Sequence, residues 1–202
     1  MKSNMKKATQ LVEEYYREGL GLRGKKLKNY TSGDGDNLGF EGLVDHLLSI
    51  RLKALNIDGE RYEISQDYFV GPNKEADDPQ RMDHHVWIDG KCVLVIESRA
   101  WIDKPFYTMK RAVVRNFMEL DYVRNRLHDD VMFALVTLAI DIKPRLVSTL
   151  DRTMGYGDKI EQFKFSPYRR NYKKGNWFDH GVNRAAVTKF INFLDDHLAQ
   201  FV

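Results

Sequence analysis

The stretch from Asp83 to Arg99 reads DHHVWIDGKCVLVIESR, and it contains two apolar segments separated by a short polar turn. The segments 86–88 and 92–96 have the β-branched and aromatic bias of strands, and the turn dipeptide Asp89-Gly90 separates them. The stretch therefore predicts a β-hairpin. Asp83, Glu97 and Arg99 lie at the open end of this apolar hairpin, where charged side chains are unexpected without a specific role.

The charges form a small cluster on one side of the predicted sheet. Side chains alternate along a strand, so Glu97 and Arg99 point the same way. If Asp83 joins them, two carboxylates and one cation meet at the rim of the sheet, and the carboxylates repel each other unless a divalent ion binds there. Oxygen ligands of this kind suit Mg²⁺, so the cluster predicts a magnesium site.

The register of the hairpin tests whether the two acids meet. A two-residue turn at Asp89-Gly90 pairs Ile88 with Lys91, and with an unbroken ladder it places Asp83 opposite Ile96, on the other face from Glu97. A three-residue loop, or a bulge within the hairpin, restores the shared face. We therefore predict a bulged hairpin.

Composition bounds the class of protein. The chain has 202 residues and no low-complexity linker, which predicts a single domain over 1–202. The 32 basic residues exceed the 29 acidic ones only slightly, so net charge alone names no partner. The single cysteine, Cys92, fits a buried position in a reducing compartment. The longest apolar run, 131–142, is too short to cross a bilayer, so we expect a soluble, cytoplasmic protein without a membrane partner.

Hydrophobic periodicity places helices on both sides of the hairpin. The expected order is α, β, β, α, β, which predicts an α/β (α+β) fold with a central mixed sheet flanked by helices. Helical spacing covers 11–16, 40–55 (with Glu41 in the first turn), 106–127 and 182–201, while strands are expected over 61–70, within the hairpin and from residue 131. A basic stretch (23–28) and then a loop follow the first helix, and the region 156–178 is expected to be irregular.

Three other kinds of site are weaker interpretations. The segment SGDGDNLG (32–39) resembles a calcium loop, but Leu38 stands at a ligand position and no acid closes the loop. His84 and His85 are adjacent on a strand and point to opposite faces, so they do not form a zinc pair and more plausibly flank the acids. Ser98 has no nucleophile elbow around it, which argues against acyl transfer.

Asp83, followed after thirteen residues by Glu97-Ser98-Arg99, resembles the motif of the PD-(D/E)XK nuclease superfamily, and type II restriction endonucleases in particular. The resemblance spans roughly residues 40–142. It implies a restriction-endonuclease-like core in which Asp83, Glu97 and the backbone carbonyl of Ser98 bind Mg²⁺. It also implies that an acid on the first core helix, here Glu41, lies near the site.

The chain departs from this motif at two positions. Met82 replaces a proline that has no chemical role. Arg99 replaces the usual lysine, and because a guanidinium stays protonated it can neutralise charge or hold a water but cannot act as a base. The base is then metal-bound hydroxide, or a water deprotonated by substrate phosphate or solvent; otherwise the site binds DNA without cutting it.

Two basic segments are candidate DNA contacts. The first follows the predicted catalytic strand directly, and its cations suit phosphate contacts. The second, YRRNYKKGNWF (168–178), interleaves cations with aromatics and is equally consistent with a solvated basic loop. The predicted DNA-binding residues are Lys104, Lys110, Arg111, Arg115, Arg169, Arg170, Lys173 and Lys174.

The resemblance implies a Mg²⁺-dependent, sequence-specific endonuclease of double-stranded DNA, with catalytic residues Asp83, Glu97, Arg99 and Glu41. Its core covers about 40–142, and a DNA-contacting loop and helix cover 156–202. A palindromic target favours a homodimer, and a cognate DNA methyltransferase is expected to protect host DNA. The alternatives are another nuclease of the superfamily, in DNA repair or recombination, and a non-catalytic DNA-binding module of the same fold.

Overall fold

The computed structural model describes residues 2–33, 38–57, 59–69, 81–100, 131–138, 160–167 and 177–202. Its helices are α1 (Lys2–Gly19), α2 (Gly24–Ser32), α3 (Gly39–Ala54) and α4 (Arg184–Leu198), with 3₁₀ turns at Trp177–His180 and Ala199–Phe201. Its strands are β1 (Tyr62–Phe69), β2 (Arg81–Ile88), β3 (Lys91–Arg99), β4 (Met132–Thr137) and β5 (Ile160–Lys164).

The strands form one five-stranded sheet in the order β1-β2-β3-β4-β5. The pairs β1/β2 and β2/β3 are antiparallel, whereas β3/β4 and β4/β5 are parallel. A mixed sheet flanked by helices is the predicted α/β class, which is confirmed. The predicted helix over 106–127 lies outside the described residues.

The main hydrophobic core lies between α1, α3 and α4 and one face of the sheet. The apolar positions of α3 recur at helical spacing and are fully buried, as at Leu43, Leu47 and Leu48. From the sheet, Leu94 and Ile96 meet them. Burial of each such side chain stabilises the fold by roughly 1.5 to 3 kcal/mol, so this packing fixes β3 against α3.

The opposite face of the sheet is buried as well. Val95 and its partner on β4, Phe133, are 0% and 1% exposed and lie outside the main core cluster. Central strands that are buried on both faces have nearly continuous apolar sequences, which explains the run Cys92–Ile96. Cys92 is a buried free thiol, as predicted.

Two elements were not predicted from the sequence. The basic stretch after Arg23 is a helix, α2, which buries only Leu27, Tyr30 and Thr31 and exposes its lysines. The expected irregular region after residue 156 contains β5, a five-residue strand. Both elements are short, so they carry too few apolar residues to show a clear period.

None of the described helices combines the length and the apolar character that a membrane span requires.

A buried ion pair joins α3 to α4. The guanidinium of Arg51 donates from Nε and Nη2 to the two carboxylate oxygens of Asp195, both at 2.7 Å. The side chain of Arg51 is 1% exposed and that of Asp195 is 11% exposed. The two-bond geometry offsets the cost of removing both charges from water, so each partner depends on the other.

Replacing one partner should therefore destabilise the fold strongly. We expect Arg51→Ala to lower the free energy of unfolding by about 3 to 5 kcal/mol, because Asp195 is left buried without its counter-ion. The double variant Arg51→Met with Asp195→Leu should recover most of the loss. The control is Arg184→Ala, which breaks the exposed pair of Arg184 with Glu13 and should cost less than about 1 kcal/mol. Urea unfolding measures all three, and an equal cost for Arg51→Ala and Arg184→Ala would contradict the prediction.

Candidate active site

The hairpin between β2 and β3 combines a tight turn with a bulge. Asp89 and Gly90 have φ values of 49° and 74°, the left-handed backbone that a two-residue type I′ turn needs at both positions. After this turn, Ile88 pairs with Lys91 and Trp87 with Cys92, but Val86 pairs with Leu94. Val93 is the extra residue of a β-bulge.

The bulge shifts the register by one residue from there outward. His84 pairs with Ile96, and the next pair in that register is Asp83 with Glu97. Without the bulge, the two-residue turn would place Asp83 opposite Ile96 and direct the two acids to opposite faces. The predicted bulged hairpin is confirmed, and its register, continued by one pair, aligns position 83 with position 97.

The last turn of α4 holds the bulge. Nε2 of His197 lies 2.8 Å from the carbonyl oxygen of Val93, and because a carbonyl only accepts, His197 donates this hydrogen bond. Gln200 donates to Nδ1 of the same ring at 2.9 Å, which fits the Nε2–H tautomer. The helix therefore binds a backbone carbonyl at the point where the regular ladder is interrupted.

Asp83 is held by the backbone of β3. Its Oδ2 accepts a hydrogen bond from the backbone N–H of Ser98 at 2.6 Å and from the hydroxyl of Ser98 at 3.0 Å. Charge-assisted hydrogen bonds of this kind are short and strong. They fix the half-buried carboxylate of Asp83 against Ser98, the residue that follows Glu97 on β3.

Glu97 lies deep in the sheet. It is 2% exposed, and both carboxylate oxygens are buried. Its neighbour on β4 is Leu135, and it shares a strand face with Val95, which is 0% exposed. A carboxylate in such surroundings is costly unless a cation, a proton or hydrogen bonds compensate it. Glu97 is therefore a buried acid whose charge depends on its immediate surroundings.

The two histidines of β2 point to opposite faces, as strand alternation predicts, and both are fully buried. Burial lowers the pKa of His84 to about 4. Burial, together with the neighbouring His84, lowers the pKa of His85 to about 4. Both rings are therefore neutral at pH 7, and they do not form a pair of metal ligands on one face.

His84 contacts Ser98 on the face of the sheet that packs against α3. Its Nε2 lies 3.3 Å from the hydroxyl oxygen of Ser98, and its Nδ1 lies 3.8 Å from Oδ1 of Asp45 on α3. Sequence analysis missed this arrangement, because nothing in the spacing of 45, 84 and 98 indicates it. It resembles a serine hydrolase triad, but Ser98 is 1% exposed and its hydroxyl donates to Asp83, so it does not present a nucleophile.

The structure describes only two of the remaining predicted site residues, Glu41 and Arg99. Glu41 is exposed in the first turn of α3, one helical turn before Asp45, which is the α3 acid that approaches His84. Arg99 is the last residue of β3, two positions after Glu97, and pairs with Thr137 of β4. The predicted DNA-binding residues lie outside the described part of the chain: Lys104, Lys110, Arg111, Arg115, Arg169, Arg170, Lys173 and Lys174.

The donor atoms of the site suit magnesium. Asp83, Glu97 and the backbone carbonyl of Ser98 offer oxygen only, the ligand type that Mg²⁺ prefers. Among the described residues no group of three or more His, Cys, Asp or Glu side chains is arranged to bind a metal ion.

No protein-family model matches this sequence, and a search of curated proteins finds no significant match.

The buried histidines make stability depend on pH. In the unfolded chain a histidine binds a proton below about pH 6.5, whereas in the folded protein His84 and His85 bind theirs only near pH 4. The unfolded state thus holds more protons between these values, and the free energy of unfolding should fall as pH falls, by about 2 kcal/mol per histidine between pH 7 and 5.

Urea unfolding at several pH values measures this slope. The double variant His84→Gln with His85→Gln should reduce the slope, and each single variant should reduce it less, whatever the change in absolute stability. Burial also lowers the pKa of His197, so a smaller slope should remain in the double variant. A double variant with the wild-type slope would show that other groups cause the pH dependence.

Proposed function

We propose that this chain is a Mg²⁺-dependent, sequence-specific endonuclease that hydrolyses phosphodiester bonds in double-stranded DNA. The observation that carries the proposal is the bulged hairpin, which holds the carboxylate of Asp83 against Ser98 and whose register aligns position 83 with position 97. The resemblance of Asp83 and Glu97-Ser98-Arg99 to the PD-(D/E)XK motif supports it. The mixed sheet and its flanking helices fit such a core.

The reaction needs a water oxygen to form a bond to phosphorus while the bond to one deoxyribose oxygen breaks, and that oxygen takes up a proton. When bound, Mg²⁺ supplies charge neutralisation at the phosphate and acidifies a water. Asp83 and Glu97 hold the ion, the backbone carbonyl of Ser98 adds a third oxygen, and the hydrogen bonds from Ser98 keep Asp83 oriented before substrate arrives.

Arg99 supplies fixed positive charge where the motif usually has lysine. Its place at the end of β3, two residues after Glu97, is the place of the motif's third residue. A guanidinium stays protonated near neutral pH, so it can stabilise negative charge that develops on the scissile phosphate but cannot accept the proton of the attacking water.

The proposal extends to partners. The basic residues between Lys104 and Arg115 contact DNA phosphates beside the cleaved bond, and Arg169, Arg170, Lys173 and Lys174 contact DNA from a second segment. Two copies act as a homodimer on a palindromic site in the cytoplasm, where a cognate methyltransferase protects host DNA.

Incubation of the purified chain with DNA of known sequence and Mg²⁺ tests the proposed activity directly. Discrete fragments support it, structure-dependent nicking indicates a repair or recombination nuclease, and binding without cleavage indicates a non-catalytic module.

Removing either carboxylate should abolish cleavage. Asp83→Asn and Glu97→Gln keep the shape of the side chains but remove the negative charge that holds the ion, so cleavage should fall to background while DNA binding persists. The matched control is Glu63→Gln, which changes an exposed carboxylate on β1 and should cleave at the wild-type rate. Gel assays of plasmid cleavage and of DNA binding measure both properties. Near wild-type cleavage by either site variant would refute the assignment.

Arg99 should be replaceable by lysine but not by alanine. Arg99→Lys preserves the charge and should retain substantial activity, whereas Arg99→Ala should lose about 100-fold or more in kcat, as when one preorganised contact to the transition state is removed. Single-turnover cleavage rates give the comparison. If Arg99→Ala cleaves as fast as the wild type, the match to the third motif position is accidental.

A further inference from the structure

A chain of polar groups runs through the sheet to the carboxylate of Asp83. His84 is 0% exposed and Ser98 is 1% exposed, and Nε2 of His84 lies 3.3 Å from the hydroxyl oxygen of Ser98. That hydroxyl lies 3.0 Å from Oδ2 of Asp83. His84 is therefore linked to the carboxylate of Asp83 through one intervening residue, Ser98. Its ring lies on the face of the sheet that packs against α3.

The direction of these hydrogen bonds follows from counting protons. The hydroxyl of Ser98 has one proton, and the carboxylate of Asp83 is the strongest acceptor within its reach. When Ser98 donates to Asp83, its oxygen can only accept from His84, so His84 is the Nε2–H tautomer. Asp45 does not reverse this order, because its 3.8 Å separation from Nδ1 is too long for a hydrogen bond.

We propose that His84 is a positioning residue, which acts through the hydroxyl of Ser98 to hold Asp83 in the orientation that binds Mg²⁺. The inference rests on the proposed function of Asp83 and Glu97 as metal-binding acids. His84 itself touches neither metal nor substrate.

The physical basis is cooperative hydrogen bonding in a buried site. A donor behind Ser98 fixes the rotation of its hydroxyl and polarises the O–H bond toward Asp83. Side chains that orient metal ligands in this way change metal affinity or activity by about 10-fold to 100-fold when they are removed. Without His84, the backbone N–H of Ser98 still donates to Oδ2 of Asp83, which lies 2.6 Å away in this structure. We therefore expect the orientation of the Asp83 carboxylate to become less well defined, while its hydrogen bond to β3 remains.

The test compares four variants with the wild type. His84→Leu removes the donor but keeps an apolar side chain in a buried position, and Ser98→Ala interrupts the same chain at its middle while keeping the backbone groups of residue 98. His84→Gln retains a donor near the position of Nε2. Val86→Ala is the control, because it removes packing from the same strand face without touching the polar chain.

Calorimetric titration with Mg²⁺ alone gives the primary measurement, and cleavage kinetics give the second. His84→Leu and Ser98→Ala should each weaken Mg²⁺ affinity and lower kcat about 10-fold to 100-fold with little change in KM for DNA. His84→Gln should restore most of the affinity, and Val86→Ala should bind Mg²⁺ as the wild type does. In the wild-type protein, ¹⁵N NMR should show a proton on Nε2 of His84.

Wild-type Mg²⁺ affinity in Ser98→Ala, or in a folded His84→Leu, overturns the inference, and so does an unprotonated Nε2. If His84→Leu does not fold, Ser98→Ala decides. A wild-type protein that binds Mg²⁺ but cuts no DNA refutes the nuclease proposal alone, since the affinities of the variants still test His84. A wild-type protein that binds no Mg²⁺ refutes both.

Discussion

The bulge at Val93 is the constraint on which the candidate site depends. Side chains alternate along strands, so a one-residue change of register exchanges the two faces of everything beyond it. The tight turn at Asp89-Gly90 alone would separate Asp83 from Glu97 on opposite faces, and Val93 corrects this. His197 binds the carbonyl of that residue from the far end of the chain, so the alignment of the acids is also tied to the docking of α4.

The part of the sheet around Asp83 and Glu97 buries polar side chains where apolar ones would pack. Four buried positions of β2 and β3 carry polar side chains, namely His84, His85, Glu97 and Ser98, and each needs compensation for its polar atoms. A strand selected for stability alone would not carry this cluster. Local rules are broken most often where chemistry requires it, and here the break coincides with the pair of acids.

The sequence predicts the parts of this fold that have a strong period or a chemical requirement. The hairpin, α3 and α4 follow from apolar spacing, and the bulge follows from the demand that Asp83 and Glu97 share a face. The short elements α2 and β5 could not be predicted in this way, because each buries only a few apolar side chains.

The contact of His84 with Ser98 is invisible in the sequence for another reason. It runs diagonally between two strands, and its geometry exists only after the register and the packing of α3 are both set. The same applies to Asp45, which lies one helical turn from Glu41, the acid that the resemblance names. Spacing along the chain identifies ligands that are close in sequence, but it does not identify the groups behind them.

Arg99 and His84 together limit how the proposed reaction can move its proton. Arg99 stays charged and cannot accept one. His84 is neutral, but its ring is fully buried on the face opposite Glu97, and its Nε2 is engaged with Ser98. Neither side chain can therefore take the role that lysine has in the usual motif. In the proposed reaction, the proton of the attacking water would then pass to solvent or to the substrate phosphate, and Arg99 would contribute a fixed charge at the end of β3.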